Sequence, residues 1–364
     1  MATYAQKSTV DKRAVSNMAA TAPVSLEEAR AKAAPRLRLC VTMPALNEEA
    51  TVAQLIKRIP RNIPGISNVF VIMVDDGSTD QTADLAEKEG AIIVAHAKTR
   101  GVGMAFQAGV QKSLELGADL MVNMDADGQF NPEDIPTLIA PLVDGRAGFV
   151  TASRFISKEC VPDMNPVKYW GNLGMSWLIS TLAGHRFYDV SCGFRAFTRD
   201  TLQQLNLFGH FTYTQETFLD LSYKQVDILE IPIKIRGKRK HGKSRVAPNV
   251  LRYAAKSGTI IFRSFRDYKP LHFFGVPAAL MVGTSIGLGV FLMNHWLDTG
   301  AFSPHKWAGF AAAALFGGGV FLLIVGLIGD MMARIRLNQE RILYLLKKND
   351  YRQRKANGSH HHTP

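Results

Sequence analysis

The stretch MDADGQF, residues 124 to 130, sets Asp125 and Asp127 two residues apart, directly behind the apolar run Leu120, Met121 and Val122. A second stretch, VIMVDDGSTD, puts Asp75 and Asp76 at the end of another apolar run. Alternate side chains of a strand share a face, so Asp125 and Asp127, read as the end of a strand, present two carboxylates on one side. Two converging hard oxygen ligands suit Mg²⁺ or Mn²⁺, and such an ion can hold a diphosphate. The competing explanation is a pair of Asp-Gly turns joining strands to helices, a common use of these residues. Two such ends in one domain weaken it. A calcium loop of the EF-hand type fails by register: counted from Asp125, the sixth position is Phe130 rather than Gly and the twelfth is Pro136 rather than Glu.

Two other motifs match well-known patterns by letter only. GKRKHGKS, from Gly237 to Ser244, fits the phosphate-loop pattern, but Pro248 falls within the first turns of the helix that would have to follow, and bulky residues fill the loop. The segment is better read as a basic cluster, Lys234, Arg236, Lys238, Arg239, Lys240, Lys243 and Arg245, able to bind phosphates of lipid head groups or of a substrate; a merely solvated charge run is its plain alternative. TRGVGMAFQAG has Phe106 where a dinucleotide fingerprint needs its third glycine, which argues against NAD. His96, His185 and His210 sit singly, and no Ser, His and Asp arrangement stands out.

The elements that must position the aspartates follow from hydrophobic patterning. From Leu37 to about Ile235, short apolar runs alternate with longer amphipathic ones, as in an α/β sheet flanked by helices. The strands expected are LRLCVTMP, NVFVIMVDD, AIIVAHA, DLMVNMDAD, GFVTASR and QVDILEIPIKI, with helices over Glu48 to Ile59 and Thr79 to Glu89, the latter announced by Ser78, Thr79 and Asp80. In such sheets ligands gather beyond the carboxyl ends of the strands, where both Asp pairs lie.

The composition changes near Pro248. Residues 271 to 293 and 307 to 329 contain no Asp, Glu, Lys or Arg, and each is long enough to cross a hydrocarbon core about 30 Å thick. Arg252, Lys256, Arg263, Arg266 and Lys269 precede the first run and Arg334, Arg336, Arg341, Lys347 and Lys348 follow the second, while the connection carries only Lys306. The positive-inside rule then gives a transmembrane hairpin with both ends in the cytosol, in a cytoplasmic or ER-type membrane. Residues 248 to 270 resemble an interfacial amphipathic helix, and the Gly283 and Gly287 spacing is a candidate helix-packing contact. The expected organisation is an N-terminal extension over 1–35, a catalytic domain over 36–247, the interfacial helix, the hairpin, and a basic tail over 330–364. A formal charge of +12 points to anionic partners, and three scattered cysteines argue against a zinc site or a disulfide framework.

Taken together, VTMPALNEE, VDDGSTDQT, MDADGQFNPED, TASRF, SCGFRAF and HGKSR resemble glycosyltransferase family 2, in its dolichyl-phosphate mannose synthase and polyprenyl-phosphate glycosyltransferase branch, over residues 38 to about 246. The resemblance implies a GT-A type, Rossmann-like mixed sheet. It implies inverting transfer of one sugar from a UDP- or GDP-sugar to a polyprenyl phosphate. It places Pro44, Asn47 and Glu48 near the nucleotide, with Asp75 beside Asp76 and Asp76 on the base or ribose. The metal motif falls on Asp125, Asp127 and Gln129, with Mg²⁺ or Mn²⁺ as cofactor. Arg154 matches a phosphate-binding arginine. Arg195, Lys243, Ser244 and Arg245 fall in further substrate-binding motifs. Lys168 stands where the family usually has an arginine for the acceptor phosphate, which keeps the charge and loses the bidentate fork. Arg100 stands where many members have Asn.

The chemistry agrees with what the sequence lacks. A lipid phosphate with a second pKa of about 6 is already an oxyanion at neutral pH and attacks an anomeric carbon without a strong general base. Stabilising the departing nucleoside diphosphate and positioning the acceptor phosphate are the remaining tasks. A processive polysaccharide synthase would share the early motifs, yet this chain has no Arg-Trp pair for a QxxRW motif. An inactive membrane-tethered binding protein is the non-enzymatic alternative. A nucleic-acid binder is the weakest, because the basic residues gather beside the apolar runs and no recognised motif accompanies them. Sequence leaves the sugar, the lipid length and homo-oligomer formation open.

Overall fold

The structure is a computed structural model and describes residues 37–207, 213–237 and 250–358. In chain order the elements are β1 (Leu37–Ala45), α1 (Val52–Arg58), β2 (Ile66–Asp75), α2 (Thr82–Lys88), β3 (Ile92–Ala95), α3 (Val102–Glu115), β4 (Leu120–Asn123), α4 (Ile135–Val143), β5 (Phe149–Ser153), α5 (Pro166–Ala183), β6 (Arg195–Thr198), α6 (Arg199–Gln204), α7 (Thr214–Tyr223), β7 (Ile228–Pro232), α8 (Val250–Tyr268), α9 (Pro270–Thr299) and α10 (Lys306–Gly358). The strands form one sheet in the order β3-β2-β1-β4-β6-β5-β7. β1 runs parallel to β2 and β4, β2 to β3, and β5 to β7; β6 is antiparallel to both β4 and β5.

Alternation along the strands explains why they read as unbroken apolar runs. Leu39, Val41 and Met43 of β1 pack on one face with Leu55 and Ile56 of α1 and Leu138 and Ile139 of α4. Cys40 of β1 and Met121 of β4 join Phe106 of α3 and Phe218 and Leu219 of α7 on the other. A sheet covered on both faces needs hydrophobic residues at every position, so each strand lacks the polar face that would show its period. The six expected strands are present. The seventh, β6, is a four-residue segment inserted antiparallel between β4 and β5, too short and too mixed in composition to stand out.

Towards the C-terminus, α9 and α10 are long and apolar enough to cross a membrane, and only 11% of the apolar window of each is buried. A core helix of a soluble domain would be covered. The two helices pack through small residues of α10 rather than through the expected pair on α9: Gly283 and Gly287 face open space, whereas a Cβ at Gly319 would lie 2.7 Å from Val282 Cγ2. Ser285 Oγ donates to the Ala312 carbonyl at 2.8 Å across the same seam. α10 runs on through residue 330 as one helix to Gly358. α8 also departs from a purely interfacial helix. Its Ile261 is 3% exposed within the sheet-facing core, while Phe262 is exposed.

Candidate active site

The register aligns the carboxyl ends of the parallel strands, pairing Ala45 with Asp75 and Asp75 with Ala95, and Thr42 with Asn123. The loops that follow β1, β2 and β4 therefore open on one crevice. The first two are laced together. Asn47 adopts φ +50, a left-handed conformation that Asn tolerates. Its amide donates to Ser78 Oγ at 2.9 Å, and its side-chain oxygen accepts from the Thr79 amide at 2.8 Å. The Glu48 amide donates to Thr82 Oγ1 at 2.8 Å, and the Ser78 amide to Asp75 Oδ1 at 2.8 Å. Thus Ser78 and Asp80, expected to cap a helix, serve the loop: α2 begins only at Thr82, after Asp80 Oδ1 has accepted the Thr82 amide at 3.0 Å. Those Thr82 bonds hold the Asp80 carboxyl below its ordinary range, against the raising effect of partial burial.

Asp76, expected on base or ribose, is turned to the protein. One oxygen meets His96 Nδ1 and the Arg100 amide at 2.8 and 2.9 Å, and the other accepts the Gly101 amide at 2.8 Å. The carboxylate thereby folds residues 96–101 against the crevice and acts first as the holder of that wall. The Arg100 backbone, rather than its side chain, makes this bond.

Asp125 and Asp127 do not lie on a strand. β4 ends at Asn123, and the two aspartates fall in the turn beyond it. Asp127 is 2% exposed and one of its oxygens accepts the Gln129 amide at 3.0 Å, the bond that closes the turn. Thr51 Oγ1 donates to the Ala126 carbonyl at 2.6 Å and ties the turn to the start of α1. Asp125 lies against the backbone of Gly193, where an added Cβ would approach its Oδ2 to 3.1 Å. Asn123 fixes that approach, its amide donating to the Gly193 carbonyl at 3.1 Å and to Tyr213 Oη at 2.7 Å. The donor set offered is two carboxylates and the Gln129 amide oxygen, all hard oxygens. Among the described residues no group of three His, Cys, Asp or Glu side chains could hold a metal. Hard oxygen donors of this kind would suit Mg²⁺ or Mn²⁺ rather than zinc.

Gln129 also reaches the segment that follows β7. Its side-chain NH₂ donates to the Arg236 carbonyl at 2.9 Å, and the Arg236 amide donates back to the Gln129 carbonyl at 3.1 Å. Gly237 in turn lies against the Asp163 carbonyl, on the loop that enters α5. Arg236 therefore lies beside the turn of the paired aspartates, while Lys238, Arg239 and Lys240 of the basic cluster lie outside the described residues. Lys243, Ser244 and Arg245 themselves lie outside the described residues.

Arg154 stands at the end of β5 and is gripped by Asp189, with Nε at 2.6 Å from Oδ2 and Nη2 at 2.8 Å from Oδ1. Asp189 is fully buried. Behind it, Glu230 of β7 accepts the Tyr188 and Asp189 amides at 2.7 and 2.8 Å. Burial lifts the Glu230 carboxyl above its ordinary range even against those bonds. Neither Asp189 nor Glu230 was legible as part of a site: the first stands two residues before SCGFRAF, outside the motif, and the second is an isolated acid in an apolar strand. Phe155, beneath the Arg154 guanidinium at 5.1 Å, meets Tyr169 edge-on at 5.6 Å. This contact brings the first turn of α5, with the exposed Lys168, to the Arg154 loop.

Arg195, expected in a substrate-binding motif, is fully buried, its guanidinium donating to the carbonyls of Cys192, Thr214 and Val190 at 2.7, 2.9 and 3.0 Å and lying over the rings of Phe149, Tyr213 and Phe218. It anchors the Asp189–Gly193 loop.

The sequence profile of glycosyl transferase family 2 matches residues 40–205. The chain is 32% identical to the UDP-N-acetylglucosamine–dolichyl-phosphate N-acetylglucosaminyltransferase of Methanococcus voltae, over 53% of this chain and 83% of that one. It is 26% identical to the undecaprenyl-phosphate 4-deoxy-4-formamido-L-arabinose transferase of Pseudomonas aeruginosa, over 81% of this chain and 85% of that one. Among solved structures, mannosyl-3-phosphoglycerate synthase from Rubrobacter xylanophilus superposes with a TM-score of 0.51 at 19% identity, over 65% of this chain and 77% of that one, a likeness of fold.

Proposed function

Because the chain belongs to glycosyl transferase family 2, we propose that it moves one sugar from a nucleotide-diphosphate sugar to a polyprenyl phosphate at a membrane surface. The observation that carries this reading is the junction at Gln129. There the turn bearing Asp125 and Asp127 is bonded to Arg236 of the basic cluster, in a chain that carries two apolar helices beyond it. The two relatives transfer different sugars and share a polyprenyl-phosphate acceptor in their names, which supports the acceptor class and leaves the donor open.

In this reading the nucleotide lies in the crevice between the Asn47–Glu48 loop, following Pro44, and the Asp75–Asp80 loop. Asp76 holds the wall over it. Asp125 and Asp127 hold Mg²⁺ or Mn²⁺, with Gln129 beside them; the ion, when bound, neutralises charge on the departing diphosphate. Arg154, locked in orientation by Asp189, and Lys168 face the acceptor phosphate, aided by the basic cluster. An acceptor oxygen forms the new bond to the anomeric carbon as the bond to the donor diphosphate breaks, inverting the centre. No protein base takes a proton, because the attacking oxygen already carries the charge.

The membrane assignment follows from exposure and charge. α5 leaves Val167, Trp170 and Trp177 63%, 69% and 70% exposed along one side. Exposed tryptophans suit the head-group layer. Basic residues flank the hairpin at both ends, which supports a multi-pass protein with its catalytic domain and both termini in the cytosol. The test is transfer by purified full-length protein from a panel of UDP- and GDP-sugars to polyprenyl phosphate, with and without chelator. Metal-dependent formation of lipid-linked sugar is expected, and undiminished transfer by Asp127→Ala would sink the metal assignment.

A further inference from the structure

A cluster of charged side chains lies away from the crevice, where three elements meet. Asp220 of α7 is 1% exposed and takes Lys224 Nζ at 2.8 Å. Lys224 Nζ also lies 3.0 Å from Glu340 Oε2 of α10. Tyr268, the last residue of α8, donates its hydroxyl to Asp220 and accepts from Arg336 Nη2 of α10 at 3.2 Å. Arg336 completes the ring with Glu340 at 2.8 Å, and its guanidinium sits 4.6 Å from the Tyr268 ring centre. On its other face that ring stacks on Tyr223 of α7 at 4.5 Å. Burial raises the Asp220 carboxyl despite its cationic neighbour, as expected of an acid enclosed on all sides.

Contacts continue along α10. Tyr344 and Lys348 reach Asp200 of α6 at 2.6 and 3.1 Å, and Tyr351 lies beneath the Arg199 guanidinium at 3.6 Å. α10 is one helix of 53 residues, about 80 Å long, whereas a hydrocarbon core needs only about 30 Å. The remainder is a rod that emerges from the apolar stretch and lies against the catalytic domain.

We propose that this cluster is a clamp that fixes the height and tilt of the crevice over the membrane surface, making Asp220, Lys224, Tyr268, Arg336 and Glu340 positioning residues for transfer to a lipid acceptor. The inference rests on the reading of a polyprenyl-phosphate acceptor. The membrane sets the height of the lipid phosphate, and the protein must set the height of Arg154 to match. A helix unbroken from the apolar stretch to its contacts with α7 and α6 transmits that height. Directional ion pairs hold one registration of the rod, where a greasy contact would tolerate sliding.

The test compares wild type with Asp220→Asn and Glu340→Gln, full length in nanodiscs containing a long polyprenyl phosphate. Hydrogen exchange of residues 330–350 reads the clamp whatever the substrate. Transfer is then measured to the long lipid and to a short, water-dispersed prenyl phosphate. Exchange of residues 330–350 should quicken about tenfold in the variants while β1 and β4 keep their protection. Transfer to the long lipid should fall about tenfold, with the short acceptor and the donor KM within about twofold. Unchanged exchange in both variants, or an equal loss on both acceptors, would overturn the clamp. Wild type that transfers to neither acceptor would refute the substrate reading instead, and the exchange result would still decide whether the contacts hold the rod.

Discussion

The crevice beyond β1, β2 and β4 and the surface around α5 are built by opposite rules. In the crevice polar groups are turned inward on the protein: Asn47 on Ser78 and Thr79, Asp76 on residues 96–101, and Asp127 on Gln129 of its own turn. Around α5 the polar work is done behind the surface, by Glu230 and Asp189 on Arg154, while Val167, Trp170 and Trp177 are left uncovered. Under the proposed function the contrast matches a difference between the two substrates. A soluble, highly charged donor is met by loops whose shape is fixed before it arrives, which keeps the ordering cost low. A lipid acceptor stays in its own phase, so that side needs a held cation and a face that the lipid phase can cover.

Variants that break this contrast should differ in size and kind. The largest effect is expected from Asp127→Ala, a fall in transfer on the order of 10³-fold with the donor side disabled for either acceptor, measured as product lipid per minute. Asp189→Asn should come next: Arg154 loses its bidentate anchor, and transfer to polyprenyl phosphate falls about 10- to 100-fold while nucleotide binding measured by calorimetry is unchanged. Gly193→Ala puts a methyl group against the Asp125 carboxylate, and about a tenfold rise in the metal concentration for half-maximal activity is expected. Trp177→Ala should raise the KM for bilayer acceptor about fivefold and leave the donor KM alone. The smallest change concerns thiols. Cys192, buried and pushed up to about 12 chiefly by that burial, should resist alkylation at pH 8, while the part-exposed Cys160 reacts first, as mass spectrometry of labelled peptides would report.

Much of the crevice was legible because its loops are built from residues with strong local signals. Asp-rich strand ends followed by Gly, Ser and Thr announce the loops, and six of the seven strands carry enough apolar residues to be recognised. The surroundings of Arg154 were less legible. Its working parts depend on pairing across long sequence distances, Asp189 with Arg154 and Glu230 with the Asp189 amide, and no local spacing encodes such a pair. Arg195 shows a related limit. Its place in a motif expected to bind substrate gives no sign of the three backbone carbonyls and three aromatic rings around it. The glycines of the hairpin show the same limit: spacing alone chose Gly283 and Gly287, and the partner helix chose Gly319.

The central claim is that one crevice delivers a single sugar, in one displacement, to a lipid phosphate at the membrane. Its most direct test is mass spectrometry and anomeric analysis of the lipid made by full-length protein in vesicles of polyprenyl phosphate, supplied with the donor that reacts. The account predicts a lipid carrying one sugar, inverted relative to the donor and absent when a chelator is present. A polymer of many sugars, or a product of retained configuration, would contradict it.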